Sequence, residues 1–320
     1  MLYLSRVIAT TIWFWIAFIA FVLAMLALDL GVFHRSPHEV PPREAGIWVA
    51  VWVGLALLFA GGLYFWAGQK VALTFLTGYV IEQSLSADNI FVMVLIFEYF
   101  RVPKSCQHRV LFYGILGALL MRGLFIAAGA ALVSRFHWVL YIFGAALVVT
   151  GVRMALKKDD EFDGERSKVV QMVRRVIPLT TDYHGKYFFI MEAGRRVATP
   201  LLLVLILVEF TDLIFAIDSI PAIFGVTTDP FIVFTSNIFA VMGLRSLYFL
   251  LAAVVDRFHL LKYGLAIILS FVGFKMLTEK FISIDIAMSL TIILSVLALS
   301  ILASVMWPQR ERKEGAGEGR

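Results

Sequence analysis

Six polar side chains lie inside two stretches of chain that are otherwise apolar enough to cross a bilayer. They are Glu82, Asp88 and Asn89 in "EQSLSADN", and Glu209, Asp212 and Asp218 in "EFTDLIFAIDSIP". An ionised side chain at the centre of a bilayer costs about 2.5 to 3.5 kcal/mol or more, so such residues usually have a functional role. Carboxylate and amide oxygens, without Cys or His at this depth, suit hard divalent cations such as Mn²⁺, Mg²⁺ or Ca²⁺. The six residues are therefore predicted to form a metal site.

The spacing of these residues leaves two geometries open. On a regular helix Glu82, Ser86 and Asn89 share one face, whereas an offset of six residues turns Asp88 about 120° away from Glu82. The second stretch repeats this offset between its last two acids. Either the acids face two different neighbours or the helices unwind between them. Pro221 favours unwinding in the second stretch, because proline removes a helical hydrogen bond.

A structural role for the acids is the alternative, with pairing to cations in or near the ends of the spans. The candidate cations are Arg122, Arg153, Arg245 and Lys275. Arg122 and Arg245 suit a role in which each satisfies one carboxylate. Five ionised acids would nevertheless exceed the charge of one divalent ion, so some should be protonated during part of a transport cycle. This excess motivates proton exchange as a hypothesis.

The composition indicates an all-α polytopic membrane protein. Hydrophobic residues make up 61% of the 320 residues and charged residues 16%. Apolar runs repeatedly reach the roughly 20 residues that a helix needs to cross the hydrocarbon core. About nine transmembrane helices are predicted, near 8–30, 46–66, 72–98, 108–133, 138–156, 199–225, 231–254, 260–278 and 285–306.

The loops predict the orientation of these helices. Nine Lys and Arg residues lie between Lys157 and Arg196, and most others fall on the same side of the membrane. By the positive-inside rule the N-terminus is outside and the C-terminus is cytoplasmic. The net charge of +5 comes from residues in these loops and indicates the orientation of the helices. Nucleic acid is therefore not expected as a partner.

An internal similarity divides the chain into two halves. "RFHWVLYIFGAALVVTGVRM" at 135–154 resembles "RFHLLKYGLAIILSFVGFKM" at 257–276, and extending the match aligns Glu82 and Asp88 with Asp212 and Asp218. Each half contains three spans. Because three is an odd number, the second copy enters the membrane from the opposite side, as in the inverted repeats of secondary transporters. The predicted parts are two N-terminal helices (1–70), repeat 1 (71–157), a cytoplasmic loop (158–198), inverted repeat 2 (199–282), a C-terminal helix (283–307) and a basic tail (308–320).

Several function classes lack sequence support. The single cysteine, Cys106, excludes an intramolecular disulfide and a cysteine-only metal site. The chain has no P-loop, which disfavours ATP-driven transport. It also has no nucleophile with a paired base and no cofactor ligand set, so we expect neither an enzyme nor a prosthetic group.

The sequence resembles the TerC family of integral membrane proteins over nearly its whole length, from Asp29 to the last span. The most specific stretches are "LTGYVIEQSLSADNIFV", "LVEFTDLIFAIDSIPAIFGVTTDPFIVFTSNIFAVMGLRSLYFLL" and "LKYGLAIILSFVGFKML", and the last two look especially like the alkali-inducible bacterial branch. The resemblance implies a bacterial inner-membrane protein linked to Mn²⁺ export and to alkaline or metal stress. It also implies that the six motif residues form the metal pathway.

Two functions follow from these observations. The first is a secondary transporter that exports a divalent metal, most of all Mn²⁺, by alternating access, with protons as a candidate counter-ion. The second is a non-transporting scaffold or stress-response factor that acts through the loop 158–198. The lipid bilayer is a partner in either case, and the sequence leaves open whether the chain forms a homo-oligomer.

Overall fold

The computed structural model describes residues 12–31, 41–156, 168–192, 194–252, 260–282 and 284–307. The predicted tail at 308–320 and the first part of the predicted loop lie outside these residues. The helices are α1 (Ile12–Gly31), α2 (Pro42–Ala67), α3 (Gln69–Tyr99), α4 (Lys104–Arg135), α5 (Val139–Leu156), α6 (Lys168–Val176), α7 (Pro200–Phe224), α8 (Pro230–Met242), α9 (Leu244–Leu251), α10 (Leu261–Thr278) and α11 (Ile286–Met306). One antiparallel hairpin, β1 (Phe189–Glu192) and β2 (Arg195–Ala198), completes the described elements.

The predicted all-α polytopic membrane class is confirmed. Among the described residues, seven helices are each long and apolar enough to cross a membrane, and the bent pair α8–α9 would make an eighth. A helix lies at each of the nine predicted positions, but nine membrane crossings stay a prediction. The exterior is apolar, with Leu58, Phe65 and Leu120 between 74% and 88% exposed. Such an exposed apolar surface fits contact with lipid.

The span predicted at 231–254 is not one straight helix. Helices α8 and α9 meet at Gly243 with a bend of 42°. Glycine is a weak helix former and is often found where a helix bends. The bend lies between Asn237 and Arg245, which are both buried.

The predicted unwinding beside Pro221 is wrong. Helix α7 continues through Pro221 to Phe224, and α3 is helical without a break from Gln69 to Tyr99. Since Pro221 lies one turn from the C-terminal end of α7, the lost hydrogen bond affects only the final turns of the helix. The acids of each stretch therefore face different surroundings on regular helices.

The two predicted halves pack against each other reciprocally. Helix α3 of the first half contacts α8 of the second, and α4 of the first contacts α7 of the second. The C-terminal end of α3 and the N-terminal end of α7 line the same surface cleft, so these two helices run in opposite directions. Inverted repeats require this antiparallel relation between equivalent helices. The repeat itself stays a prediction.

Helices α5 and α10 form the closest contact between the halves, and glycine permits it. A Cβ atom on Gly273 would lie 2.6 Å from the carbonyl oxygen of Gly144. On the same face, a Cβ atom on Gly151 would lie 2.4 Å from Oγ of Ser270. Small residues at such positions let helix backbones approach closely inside membranes.

Residues 168–198 dock onto one end of the bundle. Val170 and Val173 of α6 are buried in a cluster with residues of α3, α4, α7 and α9. The Tyr183 hydroxyl donates to the carbonyl oxygen of Phe100 at 2.8 Å. Burial raises the pKa of Tyr183 to about 12, so this hydroxyl remains a donor at alkaline pH. The segment shares the core of the bundle instead of forming its own.

Candidate functional site

A polar cluster lies in the centre of the bundle, where α3, α4, α7 and α8 meet. Its members are Glu82 and Asn89 of α3, Arg122 of α4, Asp212 of α7 and Asn237 of α8. None of these side chains is more than 2% exposed. Each is carried by an apolar helix that packs against at least one of the others. We call these five residues the central cluster.

Asp212 is held by three donors on its two oxygens. The Arg122 guanidinium donates from Nη2 to Oδ1 at 3.0 Å and from Nε to Oδ2 at 3.3 Å. Asn89 donates from Nδ2 to Oδ1 at 2.7 Å. Paired donation from one guanidinium to one carboxylate restricts the geometry of both groups. The orientation of Asp212 is therefore set by two helices, α3 and α4.

Glu82, which lies in the same half of the chain as Arg122, binds this arginine as well. Its Oε1 accepts from Nη1 of Arg122, and its Oε2 accepts from Nδ2 of Asn237 at 2.9 Å. Asn237 Oδ1 in turn accepts from Nη1 of Arg122 at 3.3 Å. Arg122 thus bridges Glu82 of the first half and Asp212 of the second. Arg122 was expected to satisfy one carboxylate, and in the structure it binds two.

The charges of the central cluster do not balance when all its groups are ionised. Glu82 and Asp212 contribute two negative charges and Arg122 one positive charge, which leaves a net charge of −1. Buried charges are tolerated when they are paired and hydrogen-bonded. Within these five residues one negative charge stays unbalanced, and the buried Arg245 lines a small cavity together with Asp212.

Glu209 lies one turn before Asp212 and faces α4. A Cβ atom on Gly117 would lie 2.1 Å from Oε1 of Glu209, so the carboxylate occupies the space that the glycine leaves. The other oxygen, Oε2, is buried without a hydrogen-bond partner among the described residues. Glu209 therefore has a spare acceptor oxygen near the central cluster.

Asp218 and Asp88 lie outside the central cluster and are only partly buried. Asp218 accepts a hydrogen bond from the Thr150 hydroxyl of α5 at 3.1 Å. Asp88 points away from Glu82 on α3, as the helical offset predicts. Asp88 is only partly buried, whereas Glu82 and Asn89 on the other face are fully buried. The structure thus joins Glu82, Asn89 and Asp212 through Arg122 and leaves Asp88 and Asp218 on other faces.

Among the described residues, no group of three or more His, Cys, Asp or Glu side chains is arranged to hold a metal ion. The six predicted ligands therefore do not form one preassembled site in this conformation. Several buried oxygens nevertheless lack a donor within the described chain, including Asn89 Oδ1, Ser86 Oγ and Glu209 Oε2. Oxygen atoms of this kind match the ligand preference of hard divalent cations.

A small cavity lies beside Asp212 on the side of α4 and α9. Its volume is about 10 Å³, and its lining includes Gly114, Ala118, Asp212 and Arg245. A cavity of this size holds about one water molecule. Asp212 is thus the member of the central cluster that borders open space.

Three contact residues carry weak signals in the sequence. Asn237 bridges Arg122 and Glu82, although a single asparagine in an apolar span is a weak signal. Thr150 and Gly117 do not stand out, because threonine and glycine are common in membrane helices and their partners are distant in sequence. These three residues could have been identified as polar or small residues on the inward face of a span.

The chain is similar to known bacterial membrane proteins over most of its length. It is 53% identical to an uncharacterised membrane protein of Myxococcus xanthus over 292 residues, or 91% of this chain and 92% of the relative. It is 47% identical to the Escherichia coli (strain K12) protein named "Putative membrane-bound redox modulator Alx" over 312 residues, or 95% and 97% of the two chains. A membrane protein of Rickettsia bellii is 40% identical over 292 residues, or 91% and 97%.

No solved structure matches the chain. The model of the integral membrane protein TerC family matches residues 67–313, which include every helix from α3 to α11. This match and the long alignments above confirm the resemblance in the motifs around Glu82 and Asp212. The chain belongs to the TerC family of integral membrane proteins.

Proposed function

We propose that the chain is a secondary transporter that exports a divalent metal, most specifically Mn²⁺, from the bacterial cytoplasm across the inner membrane. The observation that carries this proposal is the central cluster, in which buried carboxylates from both halves of the chain share one arginine. The proposed mechanism is alternating access, with the two halves moving against each other around this cluster. It contains no covalent step and needs no prosthetic group.

In this mechanism Arg122 occupies the position of a cation between Glu82 and Asp212. A metal ion would use these carboxylates only in a conformation in which the guanidinium has moved away. Glu209, one turn from Asp212, would then complete a set of acids along one face of α7. Asn89, which already contacts Asp212, would supply an amide oxygen.

Asp88 and Asp218 belong to the proposed pathway as positions that the ion meets before or after the central cluster. Both are partly buried, so the protein encloses them less completely than it encloses Glu82 or Asp212. Protons are the proposed counter-ion, because an acid that releases a metal ion within the membrane is stabilised by protonation. The proposed orientation places the N-terminus outside and the C-terminus in the cytoplasm.

Metal flux in proteoliposomes tests the proposal directly. The purified chain is reconstituted into vesicles with a trapped metal-sensitive dye, and Mn²⁺, Mg²⁺, Ca²⁺ and Zn²⁺ are compared with and without a pH gradient. Asp218→Asn and Asp88→Asn should each lower Mn²⁺ flux at least about tenfold, the equivalent of about 1.4 kcal/mol. The control is Glu192→Gln, because Glu192 is exposed in β1. Unchanged Mn²⁺ flux in both acid variants would contradict the proposal.

The second candidate is a regulatory membrane factor without transport. It is favoured by the docking of residues 168–198 onto the helix ends and by the word "modulator" in the name of the Escherichia coli relative. Replacing residues 181–198 with a flexible linker should then abolish the stress phenotype, while Asp218→Asn remains active. The transporter proposal predicts the reverse order of effects.

A further inference from the structure

A cleft of about 650 Å³ lies where residues 168–198 dock onto the ends of α3 and α7. Its lining includes two arginines and two threonines, Arg101, Arg174, Thr180 and Thr181, together with apolar side chains. Among the described residues, neither arginine forms an ion pair with a carboxylate. The cleft therefore presents unneutralised positive charge beside an apolar wall.

The backbone at Arg101 shows that this arginine is kept at a conformational cost. Its φ angle is 49°, and it is the only non-glycine residue with positive φ in the described part of the chain. Arg101 N–H donates to Glu98 O at 3.0 Å and Val102 N–H donates to Phe97 O at 2.9 Å, which together make a Schellman motif at the end of α3. Glycine is the usual residue at this position. An arginine here therefore points to a role for its side chain.

The N-terminus of α7 adds positive potential to the same cleft. Pro200 and Leu203 of its first turn lie in the lining. Thr199, which is of a type that often caps helices, instead donates its hydroxyl hydrogen to Tyr187 O at 2.7 Å, so no side chain caps this helix. The helix dipole places partial positive charge at such an end, and this charge attracts anions such as phosphates.

We propose that this cleft binds the phosphate group of an anionic phospholipid such as phosphatidylglycerol. Arg101 and Arg174 would bind the phosphate oxygens, and Thr180 and Thr181 would border the headgroup. The volume of the cleft, about 650 Å³, and its apolar lining favour a lipid over a free phosphate. Tyr99, Leu179 and Leu203 line it beside the C-terminal end of α3 and the N-terminal turn of α7. Basic pockets between helix ends on the cytoplasmic side are established lipid sites in membrane proteins.

The bound lipid would join three parts of the fold at one point. Arg101 lies at the end of α3, Arg174 lies on α6, and the N-terminal turn of α7 completes the cleft. Helices α3 and α7 carry Glu82 and Asp212. Lipid binding would therefore stabilise the docked position of residues 168–198 against the two helices that hold the central cluster. This binding does not depend on the chain being a metal transporter.

Native mass spectrometry of the full chain in detergent tests the proposal, with short-chain phosphatidylglycerol as the probe. Phosphatidylglycerol should bind one saturable site that phosphatidylcholine does not occupy. Arg101→Gln and Arg174→Gln should each weaken the affinity about fivefold, since each cation near a lipid surface contributes about that much. Arg175→Gln is the matched control, because Arg175 is the exposed neighbour of Arg174 and does not line the cleft.

The variant Arg101→Gly distinguishes a loss of lipid affinity from a loss of fold stability. Glycine accepts the positive φ angle without strain, so this variant should keep or raise the unfolding temperature in the absence of lipid while losing affinity as Arg101→Gln does. Equal binding of phosphatidylglycerol and phosphatidylcholine, or unchanged binding in both arginine variants, would overturn the proposal. Displacement of the lipid by inorganic phosphate at equal concentration would overturn the choice of a lipid.

Discussion

The buried acids of this chain fall into two environments. Glu82 and Asp212 are fully buried and are held by Arg122 and two asparagines, so their positions are specified by charge and by hydrogen bonds. Glu209 and Asp218 are only partly buried; Glu209 packs against a glycine, and Asp218 accepts a hydrogen bond from a threonine. The first pair is mostly compensated within the protein, whereas the second pair offers negative charge that a mobile cation or proton could neutralise.

The largest expected effect comes from removing the shared cation. Arg122→Met removes the guanidinium that two buried carboxylates share and should lower the free energy of unfolding by about 3 to 5 kcal/mol. The methionine keeps much of the apolar length of the side chain, so the change reports mainly on charge. Unfolding in mixed detergent, followed by circular dichroism, measures it.

A control and a rescue define the cause of that loss. Arg153→Met changes an exposed arginine at the end of α5 and should alter stability by no more than about 0.5 kcal/mol. Combining Arg122→Met with Glu82→Gln and Asp212→Asn removes the unpaired charges and should restore most of the stability. If Arg122→Met resembles Arg153→Met, the central cluster does not stabilise the fold.

Much of the fold could be predicted, because the bilayer restricts what an apolar run can form. Long runs between charged loops predicted the positions of the helices, and "EQSLSADN" and "EFTDLIFAIDSIP" predicted which spans carry buried acids. The bend at Gly243 and the straight course of α7 through Pro221 were not predicted. Helix propensities of single residues are too weak to decide such points against the packing of neighbouring helices.

The central cluster could be predicted only in part. Residue types and helical offsets placed Glu82 and Asn89 on one inward face of α3, and burial agrees. They could not show that Arg122 would bridge both halves or that Asn237 would join it, since these contacts join helices 90 to 155 residues apart. Long-range pairing depends on how whole helices pack, which local patterns do not encode.

A smaller effect on stability is expected from displacing the Glu209 side chain. Gly117→Ala places a methyl group where the Glu209 carboxylate now lies, so the side chain must shift. Overpacking of this kind costs about 1 to 3 kcal/mol, and the shift should also lower Mn²⁺ flux in the proteoliposome assay. Helix propensity alone predicts the opposite change, a gain in stability, because alanine forms helices more readily than glycine.

The control for this change is Gly54→Ala, because a Cβ atom on Gly54 of α2 has no neighbour within 4 Å. It should keep full flux and equal or greater stability. Adding Glu209→Asp to Gly117→Ala shortens the acid by one methylene and should recover part of the flux. Full flux in Gly117→Ala would show that the position of Glu209 does not matter for transport.

The smallest expected effect concerns the hydrogen bond between Thr150 and Asp218. Thr150→Val keeps the shape of the side chain but removes the donor, which should lower the free energy of unfolding by about 1 kcal/mol. Thr291→Val is the matched control, since Thr291 donates only to its own helix, at Ala287 O, and is exposed. In a double-mutant cycle with Asp218→Leu, the effect of Thr150→Val should disappear if the two side chains interact. An equal loss in both backgrounds would mean that the threonine stabilises α5 by other contacts, and Asp218 would then have no dedicated partner on that helix.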